Sequence, residues 1–291
     1  MTTRPGGELA LAPDLVLSRL GLGTMQLAGP GVWGPPTDPD AAARVLRDAV
    51  DAGVTHLDTA DFYGPHVVTE LLRRTLHPYP DDLRIATKVG FRRGPDRSWQ
   101  PAPGPDQLVA DVHDNLRRLR VDALDLVNLR VGDATAVRPG RSLAAGFTAL
   151  AELQQQGLVR HLGVSNVTAG QLDEARTIAP VVCVQNAYGP AHRDEDPLVD
   201  RCAAEGIAYV PFFPLAGLDG PSGAPLRRTA AALGVSTARV ALAWLLQRSP
   251  TMLPIPGTSR PEHLHDNLAA GELAGEYTVF PTACNGTVGV G

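Results

Sequence analysis

Lysine is almost missing from this 291-residue sequence, and cysteine and long hydrophobic runs are scarce. The three cysteines, Cys183, Cys202 and Cys284, form no CxxC pair and no cluster with histidine, which argues against a disulfide framework and against a bound metal. The longest apolar run, Val240–Leu246, is far shorter than the roughly 18 residues that a membrane span requires. These absences exclude a disulfide-rich secreted domain and predict a protein that does not enter a membrane.

The net charge and the amino terminus agree with that prediction. The formal net charge is −5, which disfavours nucleic acid as a partner. Residues 1–7 contain one arginine and no apolar segment, so no secretory signal is visible. We therefore expect a cytoplasmic protein, a monomer or a small homo-oligomer, that acts on a small molecule rather than on nucleic acid or a membrane.

The composition supplies enough apolar residues for a large core. Hydrophobic residues make up 44% of the chain and charged residues 20%, which excludes a disordered or fibrous protein. No linker divides the sequence, so we expect a single domain over residues 1–291. Its ending, residues 275–291, is atypical because it carries no charge after Glu276, and we expect a disordered or strand-like tail there.

Short apolar runs alternate with amphipathic segments along the chain. The predicted strands are Ser18–Gly21, Thr55–Asp58, Arg84–Lys88, Leu124–Leu129, His161–Ser165, Val181–Gln185, Ile207–Phe212 and Met252–Ile255. The predicted helices are Pro39–Ala52, Val67–Leu76, Pro105–Leu119, Arg141–Gln156, Ala169–Ile178, Glu195–Glu205, a pair within Ala224–Arg248, and Pro261–Ala269.

Eight strand–helix units of this kind predict an α/β protein folded as a (β/α)8 TIM barrel. The segment Leu9–Val16, with Pro13 and Asp14 at its centre, predicts a β-hairpin before the first barrel strand. The alternative is a doubly wound Rossmann sheet, but no GxGxxG motif follows any predicted strand.

The single lysine, Lys88, ends the third predicted strand, whereas every other basic residue is an arginine. Asp58 and Tyr63 follow the second strand, so all three residues meet at the carboxyl-terminal rim, where barrel enzymes place their active sites. A tyrosine needs help to act as a general acid at neutral pH, and an ammonium oriented by a carboxylate supplies it. The alternative interpretation is a salt bridge between Asp58 and Lys88, with Tyr63 packed nearby.

These residues belong to longer motifs. LDTADFYG at Leu57–Gly64 and ATKVG at Ala86–Gly90 resemble the signature of the aldo-keto reductases. GVSN at Gly163–Asn166, VQN at Val184–Asn186 and IPGTSRPEHLHDN at Ile255–Asn267 are similar to cofactor-binding segments of that family, in the same order. The resemblance implies a TIM barrel that binds NADP(H) across its strand ends.

Within that family, the sequence resembles the bacterial pyridoxal reductase (pyridoxine 4-dehydrogenase) branch. The similarity rests on KVGFRRGPDRSW, VHDNLRRL, DLVNLR, CVQNAY and AYVPFFPLAG, which begin at Lys88, Val112, Asp125, Cys183 and Ala208. It implies reduction of pyridoxal or of a similarly polar aromatic aldehyde.

The resemblance also implies a role for each matching residue. Tyr63 is the proton donor to the carbonyl oxygen, and Asp58 and Lys88 make its hydroxyl more acidic. Ser165, Asn166 and Gln185 hold the nicotinamide carboxamide, and Phe212 stacks on its ring. The other implied cofactor contacts are Gly23, Thr24, Asp58, Phe213, Pro214 and Leu215, with Thr258, Ser259, Arg260 and His263 at the adenosine 2′-phosphate and Asp266 and Asn267 near the adenine.

Ordinary structural roles remain as alternatives for several of these residues. Ser165 or Asn166 could cap the helix near Ala169, and Phe212 could be a core aromatic at the barrel rim. Gly257 and His263 stand where the commoner family pattern has basic residues, so the preference for NADP over NAD is open at this point.

Arg130 is the main departure from the family pattern, because it occupies the position of a histidine on the fourth strand. Asn128 lies two residues before it and should face the same side. A permanently charged donor at this position could polarise the carbonyl group of a substrate. The alternative is an ion pair between Arg130 and Asp133 at the rim.

The loops after the first and third strands supply the other candidate substrate contacts. Trp33 and Trp99 could wall an aromatic substrate, and Asn128 and Arg130 could contact its polar groups. Arg92, Arg93 and Arg97 could line the entrance, or they could form a solvated basic loop.

Three functions are compatible with these motifs. The first is an NADPH-dependent carbonyl reductase that converts pyridoxal to pyridoxine. The second is a biosynthetic ketoreductase for a specialised metabolite, and the third is a non-catalytic NADP-binding regulatory subunit. The presence of Asp58, Tyr63 and Lys88 together argues against the third.

Overall fold

The computed structural model describes residues 4–132, 137 and 139–276. Its strands are β1 (Glu8–Ala12), β2 (Leu15–Ser18), β3 (Leu22–Gly23), β4 (His56–Asp58), β5 (Arg84–Val89), β6 (Phe91–Arg93), β7 (Trp99–Pro101), β8 (Leu124–Arg130), β9 (Val159–Ser165), β10 (Cys183–Gln185) and β11 (Ala208–Tyr209). Its helices are α1 (Pro39–Asp51), α2 (Val67–Leu76), α3 (Pro105–Leu119), α4 (Ala144–Gln155), α5 (Ala169–Arg176), α6 (Asp196–Ala204), α7 (Ala224–Leu233), α8 (Thr237–Arg248), α9 (Pro261–Leu268) and α10 (Ala270–Glu276).

Seven of the strands form one curled parallel sheet, in the order β11-β10-β9-β8-β5-β4-β3. Residues 252–257 close it between its two edges. Met252 bridges Tyr209 of β11, and Gly257 bridges Gly23 of β3, both in parallel. The result is the predicted TIM barrel, and β1 and β2 form the predicted amino-terminal hairpin.

The closing segment is not a regular strand, although the sequence predicts one over Met252–Ile255. Pro254 and Pro256 have no N–H group and can only accept hydrogen bonds in a ladder. Their carbonyl groups accept from the backbone N–H groups of Gly21 (3.0 Å) and Gly23 (3.2 Å), and the N–H group of Leu253 donates to Tyr209 on the other edge.

The first barrel strand is also displaced from its prediction. The sequence predicts Ser18–Gly21, but Ser18 ends the hairpin and the barrel strand is Leu22–Gly23. Leucine residues recur on both sides of Ser18 and Arg19, from Leu15 to Leu22, so periodicity alone could not locate the break. Arg19 lies at this break, and its guanidinium donates to the carbonyl groups of Leu246 and Ser249.

Three helices begin at the predicted prolines. Pro39, Pro105 and Pro261 each occupy a first helical position. The hairpin β6–β7 and the helix α10 were not predicted. Gly275 and Glu276 belong to α10, and the remainder of the predicted tail lies outside the described residues.

In the part of the chain that the structure describes, no single helix is long and apolar enough to cross a membrane. The helical segments Pro221–Leu233 and Thr237–Arg248 are long and apolar enough only when they are taken together, and the chain bends by 109° between them.

Candidate active site

A buried ion pair lies at the carboxyl ends of β4 and β5. The Nζ atom of Lys88 is 2.5 Å from Oδ1 of Asp58, and it also donates to the backbone carbonyl of Thr59 at 3.1 Å. Only 2% of the Lys88 side chain and 4% of the Asp58 side chain are exposed. The salt bridge between Asp58 and Lys88 is therefore present and is buried rather than exposed to solvent.

Tyr63 lies beside this pair. Lys88 Nζ is 5.3 Å from the centroid of the tyrosine ring. Burial by itself lowers the pKa of Lys88, but the Asp58 carboxylate and the Tyr63 hydroxyl outweigh it, so the pKa lies above its usual value. Lys88 therefore keeps its proton while it is held next to the hydroxyl group of the tyrosine.

The backbone brings these residues together through close approaches of neighbouring strands. Gly90 has a φ of +104°, and a Cβ atom there would lie 2.6 Å from the carbonyl oxygen of Arg130. The chain can therefore turn at the end of β5, two residues after Lys88, without clashing with β8. Thr24 holds the end of β4 in place, because both its backbone N–H and its hydroxyl group donate to the Asp58 carbonyl at 2.9 Å.

All three residues border a cavity of about 490 Å³. Its walls are mainly aromatic and aliphatic, and Arg130 adds a second cation to them. The described lining residues also include Gly23, Met25, Gln26, Gly31, Val32, Phe62, Trp99, Phe212, Phe213, Pro214, Leu215, Ala216, Ile255, Pro256 and Gly257. An apolar cavity with a few convergent polar groups is typical of a small-molecule site.

The Arg130 guanidinium lies over two aromatic rings. Its guanidinium carbon lies 5.1 Å from the ring centroid of Phe212 and 5.4 Å from that of Phe91. It also donates to the Ser165 hydroxyl at 3.4 Å, and the residue is 8% exposed. Burial lowers the pKa of Arg130, and the nearby Tyr63 and Asp58 act in the opposite direction. Asp133, the partner in the alternative interpretation, lies outside the described residues.

Ser165, Asn166 and Gln185 are buried at the ends of β9 and β10. The alternative that Ser165 or Asn166 caps α5 is wrong, because Thr168 is the N-cap and forms a capping box with Gln171. The physical reason is position: Asn166 has a left-handed φ of +55°, and its N–H donates to the Gln185 carbonyl, so it turns the chain out of the barrel instead.

Apart from Thr24 and these three residues, the residues predicted to contact the cofactor fall into two groups. Gly23, Asp58 and the segment Phe212–Leu215 line the cavity itself. Phe213 is 43% exposed and has a φ of +52°, a conformation that favours glycine. The second group lies on α9 and on the residues just before it, next to the Ile255–Gly257 edge of the cavity.

In that second group, Arg260 is the N-cap residue of α9 and is exposed, as are Ser259 and His263. The Thr258 hydroxyl accepts from the Arg260 N–H at 3.0 Å. Asn267 is buried, and Asp266 pairs with Arg239 of α8 at 2.8 Å. Sequence reasoning missed Arg239, since a contact between two helices leaves no local motif.

The predicted substrate residues occupy different places. Trp99 lines the cavity, whereas the Trp33 ring lies beside it, packed against the Arg93 guanidinium at 5.3 Å. Arg93 also lies 4.2 Å from the Trp99 ring and donates to the Val32 carbonyl at 2.7 Å. Arg93 therefore braces the hairpin β6–β7 against the loop after β3, which is a structural role.

Asn128 is fully buried inside the barrel below Arg130. Its Oδ1 atom accepts from the Cys183 thiol at 3.2 Å, and a Cβ atom on the facing Gly163 would come within 2.1 Å of it. The contact between Asn128 and the substrate stays a prediction.

Sequence reasoning missed two aromatic residues of the site. Phe62 makes edge-to-face contacts with Tyr63 at 5.3 Å and with Trp99 at 5.7 Å. Phe91 supports the Arg130 guanidinium. Phe62 lies within the LDTADFYG motif, which was a usable signal, but the position of Phe91 depends on the pairing of β5 with β8.

The sequence model of the Aldo/keto reductase family matches residues 19–220 and 221–278. The chain belongs to this family. As an aldo-keto reductase it is 57% identical over 259 residues to the pyridoxine 4-dehydrogenase of Escherichia coli (strain K12), covering 88% of this chain and 90% of that protein. It is also 38% identical to an uncharacterized oxidoreductase of Schizosaccharomyces pombe (strain 972), covering 92% of this chain and 86% of the relative.

Solved structures of aldo-keto reductases share the fold. A thermostable aldo-keto reductase in complex with the inhibitor epalrestat superposes with a TM-score of 0.75 at 30% identity, over 89% of this chain and 92% of that one. The glycerol dehydrogenase of Gluconobacter oxydans has the same TM-score at 22% identity, over 97% and 99% of the two chains. The second similarity concerns the barrel alone.

Proposed function

We propose that this aldo-keto reductase uses NADPH to reduce pyridoxal to pyridoxine, with Tyr63 as the proton donor. One observation carries the proposal: Tyr63 lines an aromatic-walled cavity and lies beside a lysine that a buried carboxylate holds in place. A buried ion pair of this kind is costly to maintain for stability alone. It is explained by the need for a fixed ammonium next to a proton-donating hydroxyl.

The chain's residues fit the nicotinamide group of NADP(H). Gln185 Nε2 donates to Asp58 Oδ2, while its buried Oε1 atom has no hydrogen-bond partner among the described residues. A carboxamide N–H group would satisfy that acceptor. When bound, the cofactor supplies the hydride for the reaction.

The adenosine end would lie at the start of α9. A helix N-terminus attracts anions, and Arg260 stands at the N-cap with an exposed side chain. We assign Arg260, with Thr258 and Ser259, to the 2′-phosphate that distinguishes NADPH from NADH. His263 is exposed one turn further along the helix and can add to this contact.

The protein's own part in the reaction is the transfer and control of one proton. The Tyr63 hydroxyl donates its proton to the carbonyl oxygen of the substrate as negative charge develops there. Lys88 stabilises the tyrosine oxygen that remains, and Asp58 keeps the ammonium in position. The Arg130 guanidinium provides a further permanent positive charge beside the carbonyl oxygen of the substrate.

The choice of pyridoxal rests on similarity and on the shape of the cavity. The relative at 57% identity is named a pyridoxine 4-dehydrogenase. Phe62, Trp99 and Phe212 give the cavity flat apolar walls, which suit an aromatic ring.

The decisive experiment is the oxidation of NADPH, followed by absorbance, with pyridoxal, benzaldehyde and aliphatic ketones as substrates. The proposal expects a kcat/KM for pyridoxal at least about ten times that for benzaldehyde. A preference for bulky ketones would support a biosynthetic ketoreductase instead. Tight NADPH binding without turnover of any carbonyl compound would contradict a catalytic role.

A further inference from the structure

The position of Arg130 suggests what this site recognises besides the aldehyde group. Its guanidinium carbon lies over the rings of Phe91 and Phe212, at 5.4 and 5.1 Å from their centroids. The attraction between a cation and the face of an aromatic ring helps to hold the guanidinium in place. All N–H groups of a guanidinium lie in its own plane, so Arg130 donates its hydrogen bonds in that plane.

Arg130 and Tyr63 line the same cavity. A carbonyl oxygen has two lone pairs, so it can accept a hydrogen bond from Tyr63 and a second one from the guanidinium. The guanidinium fork then presents an adjacent, coplanar N–H group. An acceptor would meet that group if it were fixed in the plane of the substrate, a short distance from the carbonyl oxygen.

An aromatic aldehyde with a hydroxyl group on the neighbouring ring carbon has such an acceptor. Its two oxygens lie in the ring plane on adjacent substituents, and ionisation of the hydroxyl group leaves both as acceptors. The charges of the described lining residues are compatible with an ionised substrate. Asp58 is the acidic residue among them, and its two oxygens already accept hydrogen bonds from Lys88 and Gln185.

We propose that Arg130 makes the enzyme selective for aromatic aldehydes that carry an ionisable hydroxyl group ortho to the aldehyde group, by donating to the aldehyde oxygen and to the ionised ortho oxygen at once. This inference rests on the proposed reductase function and assigns the specificity to one residue. A histidine has a single donor to offer from one side of its ring, and a lysine is a point charge. Neither can hold two coplanar oxygens as an arginine does.

The test compares three aldehydes: 2-hydroxybenzaldehyde, 4-hydroxybenzaldehyde and 2-methoxybenzaldehyde. The first two carry the same ionisable group at different distances from the aldehyde, and the third cannot ionise. The measured quantity is the ratio of kcat/KM for the 2-hydroxy compound to that for the 4-hydroxy compound. Dividing the wild-type ratio by the ratio of a variant cancels the intrinsic reactivity of the two aldehydes.

We expect this ratio to fall about 10- to 100-fold in Arg130→Met, the usual effect of losing a hydrogen bond to a charged group. Arg130→Lys should keep part of the activity toward all three aldehydes and lose most of the selectivity. Arg117→Met is the matched control, because Arg117 is exposed on α3 and pairs with Asp114. Its ratio should equal that of the wild type.

Each outcome decides the matter. If 2-hydroxy- and 2-methoxybenzaldehyde are used equally well, or if the ratio is unchanged in Arg130→Lys and Arg130→Met, Arg130 does not recognise the ortho oxygen. If Arg130→Met is inactive with every aldehyde, the ratio in Arg130→Lys decides. If wild-type enzyme and NADPH reduce none of these aldehydes and no pyridoxal, the proposed function fails and the inference with it.

Discussion

The Gln185 side-chain amide donates a 2.8 Å hydrogen bond to Oδ2 of Asp58, whose Oδ1 accepts from Lys88. Gln185 ends β10 and Asp58 ends β4, and three strands of the sheet separate them. The bond therefore crosses the interior of the barrel. It joins a residue assigned to the nicotinamide to the ion pair that supports Tyr63, so the hydride and proton sides of the site share one carboxylate.

Tyr63→Phe should abolish aldehyde reduction while leaving the affinity for NADPH nearly unchanged. The hydroxyl acts on the substrate, and general acid catalysis typically contributes about 10²- to 10⁴-fold. Steady-state rates and NADPH fluorescence titration measure the two effects separately. A variant that keeps half of the wild-type activity would remove Tyr63 from the mechanism.

Lys88→Arg should be severely impaired although the charge is retained. The planar guanidinium is too large for a site that leaves 2% of the lysine side chain exposed, and it cannot direct a compact ammonium at Asp58 and Tyr63. Reaction rates at saturating NADPH test this. Arg117→Lys, which exchanges the same two residue types on the surface of α3, is the control and should leave the rate unchanged. Normal activity of Lys88→Arg would make the single lysine a coincidence.

Arg130→Met should lower both kcat and kcat/KM by about 10²- to 10³-fold, by analogy with the loss of one oxyanion-hole donor. Arg130→His should recover part of that activity and make it depend on pH near 6 to 7, where histidine titrates. Kinetics alongside thermal melts distinguish this role from a structural one. A Met variant that melts earlier but turns over normally would show that Arg130 only stabilises the fold.

Arg260→Ala should raise the KM for NADPH about 10-fold or more and leave the KM for NADH nearly unchanged. The reason is that only NADPH has a 2′-phosphate for the exposed guanidinium at the start of α9 to bind. Arg228→Ala, at an exposed position on α7, serves as the matched control. Equal effects on the two cofactors would exclude Arg260 from 2′-phosphate recognition.

The buried His56 should make the protein sensitive to acid. Burial lowers the pKa of His56 to about 4, and its Nδ1 atom has no hydrogen-bond partner among the described residues. The unfolded chain, with a pKa near 6.5, therefore binds a proton more readily than the folded chain. The contribution of His56 is complete above about pH 6.5 and is lost as the pH falls toward 4, a change of about 3 kcal/mol in the free energy of unfolding.

Denaturant unfolding between pH 4 and pH 8 measures this contribution. His56→Gln should be less sensitive to pH by about that amount. His113→Gln, at an exposed position on α3, should keep the wild-type slope. If the His56 variant also keeps the wild-type slope, other groups cause the acid sensitivity.

The sequence by itself determined the barrel, the hairpin before it and the three residues at its centre. Strand and helix periodicities are local, and so are the helix signals at Pro39, Pro105 and Pro261, so they can be read along the chain. The carboxyl ends of parallel strands meet at one rim, and this rule alone brings Asp58, Tyr63 and Lys88 together.

Only the tertiary structure decided how the barrel closes and how the site is supported. Pro254 and Pro256 accept hydrogen bonds from a segment more than 230 residues earlier, which no local pattern records. The Gln185–Asp58 bond and the placement of Arg130 over the rings of Phe91 and Phe212 likewise join distant segments. Such contacts depend on strand order and register, which are set by packing of the whole sheet rather than by the residues on either side.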